Sequence, residues 1–277
     1  MEIFSEFVFM PDVCQSAEQM PVAAEPLAPD VSAVVVSYDG CADIWPGFFK
    51  LLSKFWPDLP YPLFLISNHL TFSDKRVTSL CVGDDLSWSE TLARGLERIS
   101  SRYVLLILDD FFLSAPVDTA LVQRVHQAAV ARGAVYMRLV PNPAADAPYP
   151  DMPAIGAINK GAPYRTSLQI AFWLRSTLID LLRREESAWD FEIKGSRRSD
   201  AINEVFLSVC DGFPIVPYRN VLRRGKVLPD AVRYFAPLGV NFDLSKRRLE
   251  STLNLRWQAS AAKRHLGKAW RFMTLRL

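Results

Sequence analysis

Two adjacent carboxylates, Asp109 and Asp110, end an apolar run in the stretch LLILDDFFLSAP. The run predicts a buried strand, so both charges would lie at its tip. Buried carboxylates are costly unless a metal ion, a basic side chain or helix amides lie beside them. Divalent cations prefer oxygen ligands and often bridge to phosphate oxygens. The pair therefore indicates a divalent cation with a phosphorylated ligand; the alternative is that one aspartate caps the next turn while the other faces water.

Strands and helices that could position this pair alternate through residue 140. This order favours an α/β fold with a mostly parallel central sheet and helices on both faces. Ligands of such sheets bind at the carboxyl ends of the strands, where Asp39, Asn68 and the aspartate pair all fall. The predicted strands are Val31–Ser37, Leu63–Asn68, Tyr103–Leu108 and AVYMRLVP, and the predicted helices are Gly47–Trp56, Asp84–Ser100 with Ser87 or Ser89 as its cap, and a helix ending at Gly133.

The chain divides by composition into three parts. Residues 1–30 are a loose leader rich in Pro, Ala and acidic side chains. Residues 31–243 form the α/β domain, in halves of about 31–140 and 141–243, and the run Tyr164–Glu186 predicts a helix in the second half. Residues 244–277 are strongly basic and predict an amphipathic C-terminal helix.

The stretch LSWSETLARGLERISSRYVLLILDDFFL resembles the core of glycosyltransferases with the A-type fold, also called nucleotide-diphospho-sugar transferases. YRTSLQIAFW and WDFEIKGSRRS resemble segments of bacterial surface-polysaccharide transferases, and the whole resemblance covers roughly residues 31 to 215. It implies that Asp109 and Asp110 hold Mg²⁺ or Mn²⁺ and the diphosphate of a nucleotide sugar, and that Asp39 contacts the base. The family motif is Asp-any-Asp, whereas Phe111 stands here at the third position.

The resemblance also implies a general base in the second half of the chain, which takes the proton of the acceptor hydroxyl. Glu192 is preferred to Asp190, and Trp189 and Tyr164 would contact the acceptor, because sugars stack on aromatic rings. The alternative is that the rings of WDFE pack in the core while the acids face water. Further residues expected at the nucleotide sugar are Asn68, Arg94, Arg197 and Arg198, the arginines because guanidinium groups suit diphosphate.

The net charge of +2 gives no reason to expect a nucleic-acid partner, and the basic segment lacks an aromatic stacking platform. A basic amphipathic helix with Trp270 near its apolar edge is typical of elements that lie on anionic membranes. The alternative is a helix docked on its own domain. The start of the chain lacks a basic region, and the four cysteines have no CxxC spacing, so we expect a cytoplasmic protein, peripheral on the inner face of the membrane if the helix binds lipid.

Three functions remain open from the sequence. The first is a glycosyltransferase that uses a nucleotide sugar and a glycan or lipid-linked acceptor in surface-polysaccharide synthesis. The second is a sugar nucleotidyltransferase, although SYDGCADIWPG lacks the basic residue expected after its first strand. The third is a non-catalytic protein of the same fold that binds glycan or scaffolds an assembly, which the irregular Asp motif favours.

Overall fold

A computed structural model describes residues 30–150, 152–210 and 215–250. The predicted leader up to residue 29 and the predicted helix beyond residue 250 lie outside the described residues. No helix in the described ranges is both long enough and apolar enough to cross a membrane.

The described residues form these strands: β1 Val31–Val36, β2 Leu63–Ser67, β3 Val77–Cys81, β4 Tyr103–Leu108, β5 Phe111–Leu113, β6 Ala134–Arg138, β7 Ala147–Tyr149, β8 Met152–Ala157, β9 Ala171–Leu174, β10 Val205–Val209, β11 Tyr218–Asn220, β12 Leu222–Arg223 and β13 Lys226–Val227. Nine of these strands make the central sheet, in the order β3-β2-β1-β4-β9-β6-β10-β8-β7. Strands β9 and β8 run opposite to the other seven. Two small antiparallel pairs, β5 with β11 and β12 with β13, lie outside this sheet.

Helices cover both faces of the sheet, because alternate residues of the central strands point to two separate cores. In β1, Ala33 and Val35 face the core built with helices α1 (Trp45–Phe55) and α3 (Thr119–Val130). Val34 and Val36 face the core built with helices α2 (Trp88–Glu97) and α4 (Arg175–Leu181). The predicted α/β class is therefore confirmed. The helices are α1 Trp45–Phe55, α2 Trp88–Glu97, α3 Thr119–Val130, α4 Arg175–Leu181, α5 Ala188–Asp190, α6 Ser196–Ser199 and α7 Pro229–Phe235; a π-helical turn, Phe191–Gly195, joins α5 to α6.

The local signals in the first half act as predicted. Ser87, and not Ser89, caps α2, since its side chain accepts a hydrogen bond from the Glu90 amide. Pro46 lies in the first turn of α1, and Gly133 follows α3 with φ +68°. The sequence signals therefore locate the starts of α1 and α2 and the end of α3.

The predicted helix Tyr164–Glu186 is wrong. The segment contains strand β9 followed by the short helix α4. Strand β9 pairs with β4 on one side and β6 on the other, and Phe172 and Trp173 are buried in the cores on opposite faces. The apolar spacing that predicts one helix comes from a strand and a helix in succession, and pairing in the sheet overrides it.

Residues 244–250, the start of the predicted C-terminal helix, are not helical either. They form turns and a short bridge in which Leu249 pairs with Val227. The Glu250 amide donates to the Val227 carbonyl, and the Val227 amide to that of Arg248. This part of the basic segment is therefore docked on β13.

Candidate active site

A cleft of about 540 Å³ opens at the carboxyl ends of β1 and β4. The residues just before β9 reach the same edge, because that strand runs in the opposite direction. The turn between β12 and β13 contributes to another part of the lining. The lining residues are Val36, Ser37, Tyr38, Cys41, Asp85, Trp88, Thr91, Leu108, Asp109, Asp110, Phe111, Leu168, Gln169, Ala188, Trp189, Glu192, Asn220, Leu222, Arg223, Arg224, Gly225 and Arg247.

Asp109 is held in the cleft by side chains from the loop after β1. The parallel register pairs Val36 with Leu108, so the next residues, Ser37 and Asp109, lie side by side. The Ser37 hydroxyl donates to Oδ2 of Asp109 and accepts from the indole nitrogen of Trp45 at 2.7 Å. One oxygen of Asp109 is therefore fixed by the fold, in the orientation that presents the carboxyl group to the cleft.

Asp109 and Asp110 are not easily ionised at the same time. Burial raises the pKa of Asp109 to about 6, with hydrogen bonds from Ser37 and Cys41 acting in the opposite direction. Burial and the neighbouring charge of Asp109 raise the pKa of Asp110 to about 8. A positive group placed between these oxygens would remove the penalty, because it favours the ionised form of both acids.

Asp109 and Asp110 supply only some of the ligands that a hard divalent cation needs. Two carboxylates at the cleft supply oxygen ligands of the kind that Mg²⁺ and Mn²⁺ accept. No cluster of three or more His, Cys, Asp or Glu that could hold a metal occurs among the described residues. A cation held by Asp109 and Asp110 would need its other ligands from water or from the phosphate oxygens of a ligand.

Three arginines of the described residues line the same cleft, and two of them also pair with an acid, Arg223 with Glu250 at 3.4 Å and Arg247 with Asp43. Arg223 and Arg224 lie at the β12–β13 hairpin, whose turn has positive φ at Arg224 and Gly225. Arg247 reaches the cleft from the C-terminal side and is fixed by an ion pair with Asp43 at 2.7 Å. Guanidinium groups can bind phosphate oxygens, so the cleft combines anion-binding and cation-binding groups.

Glu192 lies on the π-helical turn that joins α5 to α6. Its Oε1 accepts from the Leu168 amide at 2.8 Å and from the Ser167 hydroxyl at 3.3 Å. Burial raises the pKa of Glu192, with these hydrogen bonds acting against it. Single π-helical turns are frequent at functional sites, and this one carries an oriented carboxyl group with a raised pKa into the cleft.

The WDFE segment divides between cleft and core. Trp189 is 62% exposed and lines the cleft, whereas Phe191 is fully buried. Asp190 points elsewhere, since it forms a capping box with Ser187 and an ion pair with Lys194 at 2.9 Å. These contacts lower the pKa of Asp190 to about 2, the opposite of what a general base at neutral pH needs. Of the two predicted bases, only Glu192 lies in the cleft.

Asp39 and Asn68 lie outside the cleft lining and join two loops. The carboxylate of Asp39 accepts from the backbone amides of Asn68, His69 and Leu70, each at 3.1 Å, and the Asp39 amide donates to Oδ1 of Asn68. The Asn68 side chain in turn donates to the Gly83 carbonyl at 3.1 Å. These bonds hold together the loops that follow β1 and β2; the contact of Asp39 with a nucleotide base stays a prediction.

Four other predicted residues are also absent from the cleft lining. Arg94 pairs with Glu90 one helical turn away at 3.2 Å. Arg198 forms a bidentate ion pair with the buried Glu186 and also bonds the Leu181 carbonyl. Neither guanidinium faces the aspartate pair, because a nearer acid on α2 or before α5 holds it. The other two are Arg197, on α6, and Tyr164, which is exposed and has φ +56°.

The cleft also contains residues that were not predicted from the sequence. Ser37 ends the predicted first strand, and Tyr38 and Cys41 lie in the loop after it, so their place at the end of a buried strand is a signal that could have found them. The hairpin arginines follow a weaker signal, the Arg-Gly turn in VLRRGKV. Gln169 and Arg247 carry no comparable signal, because their place depends on β9 and on the path of the chain after Asp243.

No protein-family model matches the chain, and no curated protein matches its sequence. Solved structures with a similar fold include Staphylococcus aureus TarS 1–349 in complex with UDP-GlcNAc, at 10% identity and a TM-score of 0.48 over 72% of this chain and 60% of that one. Glucosyl-3-phosphoglycerate synthase from Mycobacterium tuberculosis, in complex with Mn²⁺, UDP and phosphoglyceric acid, matches at 14% identity and a TM-score of 0.41 over 80% of each chain.

A 2-C-methyl-D-erythritol 4-phosphate cytidylyltransferase from Thermus thermophilus also matches, at 14% identity and a TM-score of 0.42 over 76% of this chain and 100% of that one. The neighbours thus include glycosyltransferases of the A-type fold and a nucleotidyltransferase. The chain spans about 60% of the length of the TarS 1–349 structure. At these identities and TM-scores, the likeness concerns the path of the chain and not its residues.

Proposed function

We propose that the chain is a glycosyltransferase that moves a sugar from a nucleotide sugar to a glycan or lipid-linked acceptor. The observation that carries the proposal is the composition of the cleft: two aspartates with raised pKa, three arginines, and a separate carboxyl group, Glu192, that is oriented by a backbone amide. A diphosphate and a hydroxyl nucleophile are the two chemical groups that such a cleft could accommodate together.

The diphosphate end of the donor would lie against the aspartates and the hairpin arginines. Asp109 and Asp110 would hold Mg²⁺ or Mn²⁺, which, when bound, supplies positive charge to the phosphate oxygens. Arg223 and Arg224 would stabilise the negative charge that gathers on the diphosphate as it leaves. Ser37 keeps the Asp109 carboxyl group in place for this role through its hydrogen bond.

The transfer step would use Glu192 as general base. The acceptor oxygen forms a bond to the anomeric carbon of the donor sugar while the bond from that carbon to the diphosphate oxygen breaks. The hydroxyl proton passes to Glu192, and the bonding electrons leave with the diphosphate. Because burial raises the pKa of Glu192, this carboxylate is a stronger base than an exposed glutamate. Attack from the face opposite the leaving group would invert the anomeric configuration.

The acceptor would enter at the open rim, where the exposed Trp189 offers a ring for sugar stacking. We propose an acceptor of bacterial surface-polysaccharide synthesis, glycan or lipid-linked, and a cytoplasmic enzyme at the inner face of the membrane. The basic residues of the C-terminal segment support this location through their attraction to anionic lipid. Trp189 beside an oriented carboxylate supports the acceptor assignment.

The test is a donor panel of UDP-, GDP-, CMP- and dTDP-sugars, with sugar release and transfer measured with and without Mn²⁺. We expect one nucleotide class to be turned over, and Glu192→Gln to abolish turnover while leaving donor binding intact. Pyrophosphate release from a nucleoside triphosphate and a sugar phosphate would instead identify a nucleotidyltransferase. Binding without turnover in every combination would favour a non-catalytic protein, and binding of no donor would overturn the proposal.

A further inference from the structure

Gln169, which lines the cleft, forms a hydrogen bond with Tyr218, and the roles assigned above use neither residue. The Tyr218 hydroxyl donates to Oε1 of Gln169. Gln169 precedes β9 and lines the cleft, whereas Tyr218 belongs to β11, 49 residues later. Two distant segments therefore meet at this one side-chain contact.

The contact fixes which way the Gln169 amide points. Because Oε1 is occupied by the Tyr218 hydroxyl, the amide nitrogen Nε2 is the end that remains for a ligand. In the part of the chain that the structure describes, Nε2 has no hydrogen-bond acceptor. Burial and the charge of Asp110 raise the pKa of Tyr218 well above the usual range, so its hydroxyl keeps its proton and continues to donate.

The pair lies near both acidic parts of the cleft. The ring of Tyr218 stacks on that of Phe111, with centroids 4.2 Å apart, and Phe111 directly follows Asp110. On the other side, Gln169 follows Leu168, whose amide donates to Glu192 at 2.8 Å. Besides burial, the charges of Asp110 and Glu192 both raise the pKa of Tyr218, so its hydroxyl and the Gln169 amide bonded to it lie close enough to interact with both acids.

We propose that Gln169, oriented by Tyr218, is a specificity-determining residue whose Nε2–H donates to a hydroxyl oxygen of the transferred sugar. The inference rests on the proposed function, in which the sugar lies between the diphosphate at the aspartates and the acceptor at Glu192. A neutral amide suits this place, because a sugar hydroxyl accepts a hydrogen bond without a charge. A fixed donor in a cleft also selects against sugars that lack the hydroxyl, since the donor would then lose its partner.

The test compares the binding affinity for free nucleotide with that for nucleotide sugar in wild-type protein and three variants. Gln169→Met keeps the side-chain length without the donor, Tyr218→Phe keeps the stacking on Phe111 without the hydroxyl, and Gln127→Met on the exposed face of α3 is the control. The probes are UDP, GDP, UDP-glucose, UDP-N-acetylglucosamine and GDP-mannose, titrated into full-length protein. Thermal unfolding confirms that each variant is folded.

We expect Gln169→Met to bind the nucleotide sugar at least about tenfold more weakly than wild type, with UDP or GDP unchanged. Tyr218→Phe should have a smaller effect of the same kind, because the amide can then rotate, and the control should have none. A singly deoxygenated sugar that lacks the recognised hydroxyl should bind wild type and Gln169→Met equally.

Two results would overturn the inference while leaving the proposed function standing: equal binding of nucleotide sugars by wild type and Gln169→Met, or equal weakening of UDP and UDP-sugar binding. If wild-type protein binds none of these probes and no CMP- or dTDP-sugar of the donor panel, the proposed function fails and this inference fails with it. The wild-type titration thus separates the two failures.

Discussion

Arg247 and Asp43 form an ion pair with 2.7 Å between Nε and Oδ2, although 204 residues separate them in the chain. Their side chains are only 8% and 12% exposed, and Arg247 also donates to the Gly40 carbonyl. This ion pair holds the segment after Asp243 against the loop that follows β1, beside the cleft. A residue of the basic C-terminal segment is therefore part of the wall of the site.

Replacing Arg247 with Met should destabilise the fold, because it leaves the carboxylate of Asp43 largely buried without its partner. We expect a loss of about 2–4 kcal/mol in the free energy of unfolding, measured by urea denaturation. The double variant Asp43→Asn with Arg247→Met should recover part of this loss, since the uncompensated charge is then removed.

The matched control for that experiment is the exposed pair of Arg233 and Asp230, in which Arg233→Met should change stability by no more than about 0.5 kcal/mol. If Arg247→Met costs no more than Arg233→Met, the ion pair with Asp43 does not hold the segment in place.

The aspartate pair predicts a stability that depends on pH. Their pKa values are raised to about 6 and about 8, so between pH 4 and pH 8 the folded protein keeps protons that the unfolded chain has released. The contribution of this pair to stability therefore falls as pH rises through this window. Asp110→Asn should raise the free energy of unfolding at pH 8, in the absence of divalent cations, by roughly 1 kcal/mol or more and should have little effect at pH 4.

Urea denaturation at both pH values checks this expectation. Asp118→Asn is the control, since Asp118 caps α3 and asparagine caps equally well. An Asp110→Asn variant that is less stable than wild type at pH 8 would show that the ionised carboxylate is favourably placed in the fold by itself.

Gly95 permits the close approach of α2 to the sheet. A Cβ atom at this position would lie 2.2 Å from Cδ1 of Ile66 on β2. Gly95→Ala should therefore destabilise the protein by about 1–3 kcal/mol, although alanine favours helix more than glycine does. Adding Ile66→Val, which removes that methyl group, should return part of the loss. Thermal or urea unfolding of both variants measures the loss and its recovery. A Gly95→Ala variant more stable than wild type would contradict the close packing of α2 on β2.

The proposed role of the basic segment in membrane binding can be tested separately from its contact at the cleft. A truncation after Glu250 removes residues 251–277 and keeps Arg247, whereas a truncation after Asp243 removes both. We expect the Glu250 truncation to lose binding to vesicles containing anionic lipid. The Asp243 truncation should in addition lose stability, because the ion pair with Asp43 is gone. Undiminished vesicle binding by the shorter proteins would exclude the segment as the membrane contact.

Much of the first half of the fold follows from the sequence, because local signals and tertiary structure agree there. The Ser87 cap, the glycine after α3 and the β-branched run of β1 each specify one element. The second half departs from the prediction at β9, where pairing with two neighbouring strands decides the conformation. Apolar spacing along the chain contains no information about those partners.

The signal of strand ends finds the cleft only in part. Asp109 and Asp110, after β4, line it, whereas Asp39 and Asn68, predicted from the same signal, do not. Glu192 also lines it, from a π-helical turn. Arg198 looks equally suitable in the sequence, but Glu186 holds it elsewhere. The arginines that do reach the cleft depend on the β12–β13 hairpin, which only the Arg-Gly turn indicates, and on the ion pair with Asp43, which has no local signature.

The proposal that the aspartate pair forms a diphosphate site is tested most directly by calorimetric titration of UDP and GDP with and without Mn²⁺. Wild-type protein and the Asp110→Asn variant are compared. We expect wild type to bind one of the two nucleotides more tightly with Mn²⁺, and Asp110→Asn to lose this dependence while remaining folded. Binding by the variant that equals wild type with Mn²⁺ present would contradict the claim.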